Sequence, residues 1–578
     1  MRKKVILFFL CVALGVKGQI LQWANGLNSP GANANYGTGI AHDNFGNSIV
    51  TGFSSTAISF KTSTGFDTVV PRGYQDFYVA KINPNGDCLW VFDIGSANDT
   101  ANSMSCCIDV NGNILVTGYF SGTMDFNPGV GVNNLTANSA NSDIFIAKYD
   151  ANGNYIWAFN MGGNGNFGSH GYNSNQGGSI ATDASGNILV TGYFQGTADF
   201  NPGIGVDTLK TGGNSDAWLA KYDQSGNYLW ALNIGGIGLD NNGQCVSVDS
   251  SGNIYITGVF EGTADFDPGA GTHILTAKGK ADMFLAKYSA NGNYTWAFNV
   301  GCIGGTKYAQ GIGVSVDTMA NIFVAGGFNG TADFNPGAAT NNLVSVGTHQ
   351  DIFLAKYDSS GNYLWAFNIG TVGTHYNYGY SVSNDGANAV ISGVFGGMAD
   401  FDPGTSTHNI TSLGSNDIFL AKYDFSGNYI WAFNIGSIGS YCNGYSVSAD
   451  FNGYVWLTGF YQGTNNDFDP NVGTDYLNCP GLEDIFIAKY STQPTGITQF
   501  EYENSMIDVY PNPNNGNMVI SSSENILGLC VYDVLGDTVY SLTPDKKDTT
   551  LIIDKEGVYF VRLNFLHGTS IKKIIVTK

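Results

Sequence analysis

Charge is what this chain has least of. Only 12% of its 578 residues are Asp, Glu, Lys or Arg, and 24 basic against 46 acidic residues give a net charge of −22. An acidic field of that size repels phosphate backbones, which argues against nucleic-acid binding. Long apolar runs are missing after the N-terminus, so no transmembrane helix is expected. Beyond Cys11 the cysteines are Cys88, Cys106, Cys107, Cys245, Cys302, Cys442, Cys479 and Cys530, with no CxxC spacing, and a zinc site is not expected. They serve as small buried hydrophobes or pair in one or two disulfides. The seven histidines follow no metal-ligand spacing, and GxSxG, HExxH and phosphate-loop motifs are absent. The chain is therefore not expected to be an enzyme, with a paired-carboxylate polysaccharide-acting enzyme kept as an alternative.

Glycine and aromatics are what it has most of: 79 Gly, 36 Phe and 32 Tyr. That composition points to all-β structure with frequent tight turns. At the N-terminus, Arg2, Lys3 and Lys4 precede a short apolar run from Val5 to Val16, and small residues precede Gln19. Residues 1–18 read as a secretory signal peptide.

Self-similarity dominates residues 19–490. A block of the form D-x-[FWY]-[ILV]-A-K begins at Asp76, Asp143, Asp216, Asp282, Asp351, Asp417 and Asp484. A second block, typified by GNIYITG, also occurs seven times. A third, typified by NYLWAFNIG, carries Trp90, Trp157, Trp230, Trp296, Trp365 and Trp431, one copy fewer. The missing copy is LQWANG at the start, with Trp23 placed 67 residues before Trp90. A repeat split between the two ends predicts a seven-bladed β-propeller closed by the N-terminal strand. In the fourth repeat the strands are expected at Cys245–Asp249, Asn253–Phe260, Met283–Tyr288 and Tyr294–Val300. The first-to-second and third-to-fourth links are short and stereotyped; the others are longer and differ between repeats. Binding residues are expected on the face that carries the longer loops.

The seven Trp are expected to pack between neighbouring blades, each burying roughly 150–250 Å². The repeated Lys, from Lys81 to Lys489, is expected to be paired structurally, with a repeat aspartate as one partner. Tyr172, Tyr308, Tyr376, Tyr378 and Tyr441 fall in Gly- and Asn-rich loops and are the candidate ligand-binding residues. Tyr offers a large amphipathic contact area with little entropy loss, which suits sugar rings or a protein surface. Three of the D-F-[DN]-P motifs are DFDP, with Asp265 and Asp267, Asp400 and Asp402, and Asp467 and Asp469. Carboxylates at i and i+2 could begin a Ca2+ loop, although no third carboxylate follows at loop spacing. The plainer reading is an Asx-Pro turn with Phe as its buried anchor.

After residue 490 the pattern stops. Residues 491–505 read as a polar linker, and 506–578 as a small C-terminal β-sandwich of seven short strands. The segments VYPNPNNGNMVIS, VYDVLGDTVY, GVYFVRL and IKKIIVTK resemble the type A C-terminal sorting domain of the type IX secretion system of Bacteroidota. The resemblance implies passage through the periplasm, engagement of the type IX secretion machinery by residues 506–578, and an extracellular or outer-surface destination. The repeats are similar to the SBBP β-propeller repeat family, whose members generally lack an assigned activity. Together these readings predict an extracellular binding or adhesion module for a glycan or surface protein, with a structural surface or matrix component as a further alternative.

Overall fold

A computed structural model describes residues 20–577 apart from 28, 30–33, 138–141, 164–177, 237–239, 270, 373–374, 472, 480, 492–506, 534–537, 545 and 566–567. The expected signal peptide and the linker after Ser491 lie outside the described residues. Every regular element among the described residues is a β-strand. Seven four-stranded antiparallel units begin with the strands Asn35–His42, Ala101–Ile108, Ser179–Thr182, Asn241–Val248, Gly304–Val316, Tyr378–Asn384 and Asn443–Ala449. They are numbered 1 to 7 in that order. Unit 4 continues with Ile254–Phe260, Gly279–Tyr288 and Tyr294–Val300. Unit 7 continues with Tyr454–Tyr461 and Asp484–Ser491, and its fourth strand is Ile20–Gly26 from the N-terminus. Ile20 pairs opposite Ser491 and Gly26 opposite Phe486.

The short links form as their sequences dictate. In D-S-S-G-N of unit 4, Gly252 N–H donates to Asp249 O at 2.9 Å, and Asp249 Oδ1 accepts Ser251 N–H and Asn253 N–H at 2.9 Å each. Gly252 takes φ +80°, where a side chain would be strained. Unit 5 has Ala320 at this point, with φ +61°.

Strand expectations for unit 4 differ by four residues at two starts, since the first strand begins at Asn241 and the third at Gly279, and by one at the second, which begins at Ile254. Asn241–Gln244 lacks apolar alternation, and neighbouring units, not its own hydrophobicity, hold it extended. The link between second and third strands is also no open loop. In unit 4 it is a hairpin of Thr263–Asp265 with Ile274–Thr276, repeated in every unit. Its Phe266 is fully buried, 5.0 Å from Phe284 and 5.5 Å from Phe260.

No sheet closes on itself, and the units join through side chains. Each large cluster of apolar residues in this region mixes two consecutive units. Ile49, Phe77 and Ile94 of unit 1 pack with Phe120, Phe126 and Phe145 of unit 2. The series ends with Ile485, Ile487 and Trp456 of unit 7 packed on Ile40, Val50 and Tyr78 of unit 1. First strands of successive units lie side by side, and that of unit 7 lies against that of unit 1. There Ile40 N–H donates to Ser446 Oγ at 3.2 Å.

Polar contacts repeat with the same logic. Lys148 Nζ lies 2.8 Å from Asp109 Oδ2, in the first turn of its own unit, and donates to Gln224 O of unit 3 at 2.9 Å. Lys221 does the same with Asp183 and Ala290 O. The partner is thus the turn aspartate. The aspartate of the D-x-[FWY] block instead caps the end of the hairpin link, as where Asp417 accepts N–H bonds from Leu413 and Gly414. The tryptophans sit on fourth strands, beneath the glycine of the next unit's third-to-fourth turn. A Cβ on Gly86 would lie 2.8 Å from Trp23, and one on Gly153, Gly226, Gly292, Gly361 or Gly427 would lie 3.1–3.4 Å from Trp90, Trp157, Trp230, Trp296 or Trp365. Trp431 is 6% exposed, and among the described residues no such glycine lies over it.

Residues 507–576 form two sheets around a separate core. Ile507–Tyr510, Asn517–Ile526 and Lys546–Ile552 make one; Thr538–Leu542, Gly528–Tyr532, Gly557–Phe565 and Gly568–Val576 make the other. Ile520, Leu529, Leu551, Val561 and Ile574 are buried in the shared core.

Two outcomes follow. Lys148→Ala leaves Asp109 buried without its cation and is expected to cost about 3–5 kcal/mol in denaturant unfolding. Ala320→Gly relieves a left-handed alanine and is expected to stabilise by about 1 kcal/mol in the same measurement.

Candidate functional site

The repeats agree on strand cores and turns and disagree along the first halves of the first strands. Counting seven residues back from the turn aspartate gives Tyr36, Asn102, Asn242, Gln310, Tyr378 and Asn443 in the units where the residue is described. Counting five back gives Thr38, Met104, Gln244, Ile312, Tyr380 and Tyr445 in the same units. This second residue is skipped by strand pairing in all six, a β-bulge at one equivalent point. A bulge re-aims the side chain it carries. Here it turns a position that differs from unit to unit toward its counterparts.

On units 5, 6, 7 and 1 the result is an aromatic arc. Tyr36 and Tyr445 lie 6.0 Å apart edge to face, Tyr445 and Tyr380 5.3 Å apart, and Tyr380 stacks on Tyr378 at 5.8 Å and 15°. The Tyr378 and Tyr308 hydroxyls are 3.2 Å apart, and Ile312 packs with Tyr378 and Tyr380. Burial pushes the Tyr380 hydroxyl well above its usual range. Tyr36 is raised too, by burial and then by Glu483, to which it hydrogen-bonds. Glu483 Oε1 also accepts Gln462 Nε2 at 3.1 Å.

Units 2, 4 and 5 contribute amides instead. Asn102 Nδ2 donates to Gln75 Oε1 at 3.1 Å and Tyr119 Oη at 2.7 Å. Asn102 Oδ1, Asn242 Oδ1, Gln244 Oε1 and Gln310 Nε2 are buried without a partner among the described residues, and Gln310 is only 2% exposed. A buried amide atom left unmet costs about 1–3 kcal/mol. A surface of tyrosine faces beside unmet amides suits a flat, hydroxyl-rich ligand.

The structure brings three expected residues to this arc. Tyr308 and Tyr378 belong to it, and Tyr441, 37% exposed, joins through Phe460 at 5.7 Å. Phe460 in turn lies 4.8 Å from Tyr36 and 5.7 Å from Tyr445. Tyr376 is 51% exposed and rests against His349 at 4.4 Å, and Tyr172 lies outside the described residues. Sequence reading by loop composition missed Tyr36, Tyr380 and Tyr445. The signal that finds them is the disagreement between repeats at otherwise regular strand positions.

The DFDP aspartates start the hairpin links. Asp265 Oδ1 accepts Asp267 N–H at 3.0 Å and His273 N–H at 2.8 Å; Asp400 does so with Asp402 and His408, and Asp467 with Asp469 and Asp475. The second carboxylates accept N–H bonds from Gly269, Gly404 and Asn471. DFNP copies make the same bonds, as at Asp125 with Asn127 and Asn133. Among the described residues no group of three or more His, Cys, Asp or Glu is placed to hold a metal ion.

One carboxylate breaks the repeat. Asn160, Asn233, Asn299, Asn368 and Asn434 each donate Nδ2 to their unit's block aspartate at 2.6–3.0 Å. Unit 1 has Asp93 at that place. Burial pushes its carboxyl up to about 6, Arg72 opposes the shift and Asp76 adds to it. Arg72 Nη2 donates to Asp93 O at 3.0 Å and reaches Oδ2 at 3.4 Å.

Comparison with known proteins bears on residues 508–577, which match the secretion system C-terminal sorting domain family. That tail marks the chain as cargo of type IX secretion, a Bacteroidota system, exported through the periplasm to the cell surface or extracellular space. It also implies contact with the type IX machinery. Among the described residues no helix is long and apolar enough to cross a membrane. An uncharacterised WD repeat-containing protein of Acanthamoeba polyphaga mimivirus is 27% identical over 77% of this chain and 36% of its own length. Regulatory protein FlaEY of Caulobacter vibrioides is 23% identical over 48% of this chain and 28% of its own. The chain thus spans about a third of the length of these curated relatives. Among solved structures, a Bacteroides caccae protein of unknown function aligns at 11% identity and TM-score 0.30, covering 66% of this chain and 94% of that one. PorZ, a surface component of the type IX system of Porphyromonas gingivalis, aligns at 9% and 0.16, covering 96% and 100%.

The Asp93 geometry has a pH signature. A carboxyl raised on folding from 3.8 to about 6 withholds stability as pH climbs through that window, and leaves it intact below. Asp93→Asn restores the pairing of the other units and is expected to stabilise by about 1–3 kcal/mol at neutral pH. At pH near 3 it is expected to change little. Thermal unfolding at the two pH values checks both.

Proposed function

We propose that residues 19–490 form a seven-bladed β-propeller closed by the N-terminal strand, of the SBBP repeat type, and that it is a non-catalytic binding and adhesion module. The seven units with shared cores, the seventh against the first, support the propeller reading. In that reading the first strands line a central channel, and the arc of Tyr36, Tyr445, Tyr380 and Tyr378 stands at one mouth. Residues 1–18 serve as the signal peptide that starts export.

The observation that carries the binding reading is the arc itself: four tyrosines and the unmet amide atoms of Asn102, Asn242, Gln244, Gln310 and Asn443 at the positions where the repeats diverge. A glycan is the ligand this lining favours, since sugar rings present apolar faces to tyrosine and hydroxyls to amides. A surface protein is the second class the same screen reads. Calcium remains part of the proposal through Asp265, Asp267, Asp400, Asp402, Asp467 and Asp469.

The purified full-length protein would be screened against immobilised polysaccharides and host proteins, with and without chelator, while reducing-end release is assayed in the same wells. Saturable binding without product is the expected result, reduced at least tenfold by Tyr445→Ala. Loss in chelator would assign the metal role to the DFDP aspartates. Product release would replace the binding reading with the enzyme, and silence throughout would replace it with a structural surface component.

A further inference from the structure

Away from the mouth, a cleft of about 420 Å³ opens between units 1 and 2. That volume is within the range of small-ligand sites, about 300–1,000 Å³. Trp90 and Phe92, on the fourth strand of unit 1, form one side with rings 5.8 Å apart and 11° from parallel. The other sides are the hairpin tip of unit 2, residues 127–131, and the turn 152–154 with Tyr155. No charged side chain lines it. Two near-parallel aromatic rings set against the amides of Asn127, Asn152 and Asn154 match the chemistry of a neutral sugar, apolar on its ring face and hydroxylated at its edge.

Because the cleft is made of repeated parts, the same parts meet elsewhere. Gly226, Gly292, Gly361 and Gly427 sit on Trp157, Trp230, Trp296 and Trp365 as Gly153 sits on Trp90. Hairpin tips of units 3 to 6 repeat the Asn127–Gly129 bond through Asn201, Asp267, Asn335 and Asp402. The ring pair recurs as Trp157 with Phe159, Trp296 with Phe298 and Trp365 with Phe367, all at 5.4–5.7 Å, while Leu232 follows Trp230 in sequence. The two remaining junctions lack a part: Trp431 has no facing turn, and unit 1 has no D-F-[DN]-P tip against Trp23. At the tips, Val130, which lines the cleft, and Ile204, its equivalent in unit 3, are fully exposed apolar side chains.

We propose that the three junctions with a Trp–Phe ring pair and an uncharged Asn tip, at Trp90, Trp157 and Trp296, are saccharide-binding clefts, so that one chain engages a neutral polysaccharide at several points. The inference rests on the binding reading above but uses a different surface. Clefts of modest individual affinity on one rigid body gain strength by acting together on a polymer.

The test is a titration of the purified full-length protein with cellohexaose, maltohexaose, xylohexaose and mannohexaose, followed by calorimetry and tryptophan fluorescence. At least one sugar is expected to bind with more than one and at most three equivalents per chain, with a fluorescence change that molar salt leaves intact. Trp90→Ala is expected to remove about one equivalent. Val130→Glu, at a fully exposed position, is expected to weaken that same equivalent about tenfold with the fold undisturbed. Tyr445→Ala at the mouth is expected to leave the cleft equivalents in place. The proposal is overturned if none of the four sugars binds saturably, or if neither Trp90→Ala nor Val130→Glu alters the titration. A single equivalent abolished by Tyr445→Ala would also overturn it, while leaving the mouth as the binding site.

Discussion

No unit of this chain owns a core. A four-stranded sheet has two faces, and each must be covered by a neighbour, so the apolar clusters fall at junctions and not within sheets. Phe126 illustrates the dependence: it leaves its own hairpin to pack 6.0 Å from Phe77 of unit 1 and 5.1 Å from Phe145 of unit 2. Burying a Phe side chain is worth about 1.5–3 kcal/mol, and that gain exists only when both units are present. Stability therefore accrues by pairs, as in any array of stacked repeats. What distinguishes this array is that the last pair joins unit 7 to unit 1, where Trp456, Ile485 and Ile487 meet Ile40 and Val50.

Polar groups set the spacing that the apolar contacts leave loose. Lys81, Lys148, Lys221 and Lys356 are each held by a turn aspartate of their own unit and a turn carbonyl of the next, so the charge is both neutralised and fixed in position. A buried ion pair adds little net stability over an apolar pair of equal size, yet it penalises any arrangement that separates the partners. The glycine over each tryptophan acts from the other side of the same junction, since a Cβ there would meet the indole. Where the chain ends replace a turn, both devices lapse together. Among the described residues no glycine sits over Trp431, and Lys422 has Asp385 as its partner with no carbonyl of the next unit.

Much of this was legible in the residues. Seven repeats, a copy displaced to the N-terminus and short Asx-Gly turns all follow from spacing and turn chemistry, and Ile20–Gly26 does pair with Asp484–Ser491. The hairpin between second and third strands was not. Its strands are three residues long, as in Thr263–Asp265 and Ile274–Thr276, too short for an alternating pattern to register. The early start of the first strands was hidden for a related reason, because Asn241 to Gln244 is extended by its neighbours' packing and carries no apolar signal of its own. Tyr36, Tyr380 and Tyr445 were missed because loop composition directed attention to Tyr308, Tyr376, Tyr378 and Tyr441, of which Tyr308 and Tyr378 themselves lie in first strands and not in loops.

Those tyrosines show how the repeat separates scaffold from specificity. At a junction every position answers to two units, so a change there must be matched by its neighbour, and the same Trp, Lys, Gly and Asp recur. At the bulged position, strand pairing makes no demand on the skipped residue, and Thr, Met, Gln, Ile and Tyr all occupy it. Freedom from pairing alone would let small residues settle there. Instead Tyr380 and Tyr445 meet across units at this position, and Gln244 leaves an amide atom there unmet at about 1–3 kcal/mol. Buried polar atoms go unmet elsewhere too, as at Asp351 Oδ1 and Trp456 Nε1, but the amides of the first strands lie beside the tyrosine arc, where a ligand of the proposed kind would relieve them.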